Sequence, residues 1–93
     1  MQDRYAMCIE YECAQDLYTL VRAHYMRQIY EEESRQKPSQ ALIQALMGMQ
    51  KELYQEQRAL VATDVEAVSR AIDKYAALLK RLRSPDDKLS TAM

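Results

Sequence analysis

The chain contains no tryptophan and no phenylalanine, and it has one glycine, two prolines and one histidine. Each shortage removes a class of structure or chemistry. So little Gly and Pro leaves almost nothing for tight turns, bulges and β-hairpins, which argues against a strand-rich fold. One histidine, with no thiolates or carboxylates converging on it, makes neither a zinc site nor a Ser/His/Asp catalytic set. A Gly-rich phosphate loop is missing, as are paired acids at a useful spacing. No apolar run approaches the ~18 residues of a membrane span, and the N-terminus lacks a secretory signal's basic-then-apolar layout. A net charge of −1 with both signs interspersed gives no field to hold DNA, RNA or an anionic membrane. These absences predict a cytoplasmic protein that is not an enzyme. No cofactor, metal, nucleic-acid or membrane partner is expected.

What is present favours helix: Ala, Leu, Gln, Glu and Arg are abundant, and seven tyrosines carry all the aromatic area. Val65, Val68, Ile72, Tyr75, Leu79 and Leu82 alternate three- and four-residue steps, an a/d seam made to lie along another helix. This predicts a helix over about 64–83. Lys80, Arg81 and Arg83 suit its last turn, Ser84–Pro85 stops it, and 86–93 form a flexible polar tail.

Residues 3–35 run without Pro or Gly and read as one long helix. Met7, Tyr11, Ala14, Leu17, Tyr18, Val21, Tyr25 and Ile29 form its apolar arc, with Arg4, Glu12, Gln15, Asp16, Thr19, Arg22 and Arg27 opposite. Cys13, Leu20 and His24 widen that arc enough for two neighbours. Lys37–Pro38–Ser39 breaks the run, with Pro38 as a first helical residue or Ser39 as a cap. A second helix follows over about 39–61, its seam made of Leu42, Leu46, Met49, Leu53 and Leu60, flanked by Ile43, Met47 and Tyr54. Thr63-Asp64-Val65-Glu66 has the form of a capping box and places a turn at 61–63, with one bent helix from 39 to 83 as the alternative.

The expected fold is all-α, one domain over 1–85: a long N-terminal helix packed with an antiparallel helical hairpin, a three-helix bundle. In it the seam of the third helix faces the second across the turn. The first helix outruns the hairpin, so Asp3–Glu12 should overhang and need cover from another chain, which points to a homodimer. Tyr11, Tyr18 and Tyr25, seven apart, combine apolar bodies with hydroxyls that can stay wet. With Tyr5, Met7 and Ile9 they make the candidate partner or dimer interface, and the alternative is that the tyrosines edge the chain's own core. Cys8 and Cys13 read as reduced, small apolar side chains, and Glu10 as a rim salt-bridge former. Glu31-Glu32-Glu33 reads as a solvated helix end with Arg27–Glu31 and Glu31–Arg35 pairs.

The stretch from Glu52 to Leu82, with Glu56, Leu60, Asp64, Lys74, Leu78 and Leu79 in order, resembles the helical hairpin of flagellar export chaperones of the FlgN type. It covers about a third of the chain, and the Tyr-rich first helix does not match that family. The resemblance implies a small bacterial chaperone that sheathes an amphipathic helix of a secretion substrate. The expectation is a protein-interaction module, a chaperone, antiactivator or adaptor binding a partner helix. A structural subunit of a larger helical assembly and, behind it, a DNA-binding regulator are the alternatives.

Overall fold

The computed structural model describes the backbone of residues 4–83 and the side chains of 8–83. The predicted polar tail, and the side chains of Tyr5 and Met7, lie outside the described residues. Three helices follow one another: α1 (Arg4–Glu33), α2 (Gln40–Ala59) and α3 (Val65–Arg83). The fold is all-α, and the region after Pro38 is two helices rather than one bent one. No described helix is long and apolar enough to cross a membrane.

The caps account for the boundaries. Ser39 is extended and its side-chain oxygen accepts the Leu42 N–H at 3.2 Å, starting α2. Glu32, in the last turn of α1, reaches over the loop so that Oε2 accepts the Ser39 N–H at 2.8 Å. Its Oε1 accepts from Arg35 Nη1 at 3.3 Å. Glu32 is therefore buried, not part of a solvated helix end, and the described ion pair here is Arg35–Glu32. At the second junction Leu60 leaves the helical region with ψ 131°, and the chain turns through Ala62 and Thr63. No described residue has a positive φ, so this turn needs no glycine. The cap of α3 is Asp64, one residue beyond the expected Thr63: its Oδ1 accepts the Ala67 N–H at 3.1 Å. Glu66 pairs instead with Arg70 at 3.7 Å on the surface.

Gln15 meets Gln57 and Arg22 meets Gln50, so α2 runs antiparallel to α1. Tyr18 stacks on Tyr75, while Leu20 and His24 share a cleft with Leu79 and Leu82, so α3 runs parallel to α1. Both helices pack on α1, yet no Cα of α2 lies within 8 Å of one in α3. The α3 seam therefore has α1 as its close neighbour, not α2 as expected. Ala14, Tyr18, Val21, Tyr25 and Ile29 supply the α1 side of the core. Ile43, Leu46 and Leu53 meet them from α2, and Val68, Ala71, Tyr75 and Leu79 from α3.

The middle of the α1–α2 seam is polar. Arg22 donates through Nε to Gln50 Oε1 at 2.7 Å and through Nη1 to Gln57 Oε1 at 2.8 Å. Gln57 Nε2 donates to Thr19 Oγ1 and to the Gln15 carbonyl, and Gln15 Nε2 returns a bond to the Gln57 carbonyl. Gln15, Thr19 and Arg22 thus all bond across to α2, Gln15 and Arg22 half-buried and Thr19 at the exposed edge. Such a ladder fixes the register of the two helices, because a one-turn slip strands every half-buried amide.

Candidate functional site

α2 and α3 share α1 as a neighbour, but no Cα of one comes within 8 Å of the other, and a groove lies between them. Tyr18 and Tyr25 of α1 form its floor, 2 % and 5 % exposed. Both rings are almost wholly covered by the side chains of the flanking helices. At one end lie Leu60 from α2 and Ala67 and Ala71 from α3, around about 430 Å³ of space. At the other lie Met49 and Leu53 from α2 and Leu78 from α3. Glu56, Lys74 and Tyr75 border both ends, and the Tyr75–Glu56 contact bridges the groove between the two hollows.

One polar node ties its centre together. The Tyr75 hydroxyl donates to the Glu56 carboxylate, 2.8 Å from each oxygen, and the Tyr18 hydroxyl donates to Oε1 at 3.2 Å. Each helix contributes one member. The two rings lie 4.7 Å apart at 46°, an offset, tilted pairing. Burial, followed by the adjacent Glu56 charge, pushes the Tyr18 hydroxyl up to about 12, and burial, followed by the hydrogen bond to Glu56, raises that of Tyr75 as well. Both phenols therefore stay neutral donors at any physiological pH. Lys74 Nζ stands 5.1 Å from the Tyr75 ring centre, a cation over an aromatic face. The node links one side chain from each helix and so clasps the three together.

The candidate interface residues divide sharply. Tyr18 and Tyr25 are core residues of the single chain. Tyr11 is half-buried against the same core. Ile9 is 50 % exposed on the N-terminal stretch of α1, beside exposed Cys8. The two cysteines, read as apolar filler, are both exposed and free. Among the described residues no group of three or more His, Cys, Asp or Glu is placed to hold a metal.

A larger cleft of about 590 Å³ runs along the outside of α1 and α2, lined by Met26, Met47 and Gly48 among others. It is a furrow over a seam that is already closed. Sequence reasoning missed Glu56 as the central group because a Glu on a helix surface looks solvated. Its spacing four residues before Leu60, facing Tyr75 across the turn, was the available signal.

No family model, curated protein or solved structure matches this chain.

Proposed function

We infer that the protein is a non-enzymatic interaction module that receives an amphipathic helix of a partner protein in the groove between α2 and α3. One observation carries this reading: α2 and α3 both pack closely on α1, while between them no Cα pair comes within 8 Å and the hydrogen bond from Tyr75 to Glu56 is what crosses. In a complete three-helix bundle every pair packs closely. In a four-helix bundle the diagonal pairs do not, and α2 and α3 stand in that diagonal relation. A helix laid opposite α1 would complete the square and cover Met49, 43 % exposed, along with the half-buried Leu60 and Leu78. Chaperone, antiactivator and adaptor are all roles for such a groove, and the resemblance to export chaperones of the FlgN type agrees with the first.

The test is isothermal titration with a synthetic Leu-rich amphipathic peptide of about 20 residues, long enough to hold a helix. Binding to the native chain should be lost in Met49→Asp and Leu78→Asp, whose rim positions allow the fold to survive. Binding unchanged in both variants would place the helix elsewhere.

A second reading rests on Ile9, half exposed on the N-terminal stretch of α1. There the chain would associate with a second copy. Ile9→Asp should then convert a dimer to a monomer in analytical ultracentrifugation, and an unchanged mass would remove this reading.

A further inference from the structure

The two walls of the groove carry opposite charge. On α2, Glu52 and Glu56 stand four residues apart, one turn above the other. On α3, Arg70 and Lys74 stand in the same relation. Between the walls the lining is apolar or aromatic, Leu60, Ala67, Ala71 and Leu78 over the floor of Tyr18 and Tyr25, except at the centre, where the Glu56 carboxylate accepts the Tyr18 and Tyr75 hydroxyls. No ion pair joins the walls among the described residues. Arg70 is engaged only with exposed Glu66 on its own helix, and Lys74 with the face of Tyr75. A slot of this kind works as the e and g flanks of a coiled coil do, where charges beside an apolar seam choose the partner.

Resting on the reading of the groove as a helix-receiving site, we propose that its partner is an amphipathic helix with asymmetric flanks. One flank is basic and lies along Glu52 and Glu56, and the other is acidic and lies along Arg70 and Lys74. A helix viewed on its apolar face exchanges its left and right flanks when its direction is reversed. Such a partner therefore fits in one direction only, so the walls select orientation as well as sequence. A helix with two basic flanks meets repulsion along α3, and one with two acidic flanks meets it along α2.

The test uses three synthetic peptides of about 20 residues sharing one Leu stripe: mixed flanks, both flanks basic, both flanks acidic. Fluorescence anisotropy should show the mixed peptide binding the native chain about fivefold or more tightly than either uniform peptide, as a few rim pairs allow. In Arg70→Glu/Lys74→Glu both walls are acidic, and the preference should pass to the doubly basic peptide. The neutral Arg70→Gln/Lys74→Gln chain, which introduces no new repulsion near Glu56, should lose its discrimination against the doubly basic peptide. Equal affinities for all three peptides would overturn the flank assignment while leaving the groove as a helix site. A mixed-peptide preference that survives both wall variants would also overturn it. If no peptide binds and ultracentrifugation shows a dimer that Ile9→Asp leaves intact, a second copy occupies the groove in place of the proposed partner. Absence of binding in a monomer removes the receiving site itself, and the flank assignment with it.

Discussion

Glu56 is the residue on which the three helices converge, and its removal has a definite cost. Glu56→Ala strands the hydroxyls of Tyr18 and Tyr75, both on buried rings. Two orphaned polar groups of this kind should lower stability by about 1–3 kcal/mol, read as a fall in the urea midpoint. The same pair predicts an alkaline transition. In the unfolded chain both phenols ionise at the ordinary value of 10.0, while in the fold Tyr18 holds its proton to about 12 and Tyr75 beyond that. Above pH 10.0 the unfolded state thus binds fewer protons than the native state, and stability falls as pH rises. Helicity followed by circular dichroism should hold below that value and be lost progressively above it. The Tyr18→Phe/Tyr75→Phe chain should unfold at higher pH than the native one. An identical alkaline midpoint would show that these hydroxyls do not titrate with unfolding.

The helices are held at their ends as much as along their faces. Asp64→Ala removes the α3 cap and should cost about 1 kcal/mol, whereas Thr63→Ala should stay within about 0.5 kcal/mol, in thermal melts. The opposite ranking would return the cap to Thr63. Gly48 lies inside α2, and a Cβ there meets nothing within 4 Å. Gly48→Ala should therefore raise stability by about 1 kcal/mol through helix propensity alone, and a lower melting temperature would reveal a contact the isolated chain does not make. Much of this level was legible in the sequence. The Val65–Leu82 seam, the Pro38–Ser39 break and the turn near 61–63 come directly from spacing and capping chemistry. What periodicity could not supply was the neighbour: the α3 seam fits any helix, and the fold sets it against α1. Gln15, Thr19 and Arg22 were unreadable for a related reason. Polar side chains that build an interhelical ladder have the same pattern as a solvated face. Glu32 was hidden likewise in an acidic run, since its burial depends on a loop folding back over it.

At the scale of the molecule, the tyrosine row of α1 supplies core to both flanking helices. Tyr18 also joins the hydrogen-bonded node that links α2 to α3. The surface expected to bind was the outward face of those tyrosines. Their inward burial moves the candidate site to the groove they floor, with Glu52, Glu56, Arg70 and Lys74 along its walls. The most direct test of this arrangement is an amide NMR titration of the labelled chain with the mixed-flank peptide. Shifts should concentrate on Met49, Leu60, Ala67, Ala71 and Leu78, leaving Ile9, Met26 and Met47 in place. Shifts confined to Met26, Met47 and Gly48, or to the N-terminal stretch around Ile9, would contradict the account.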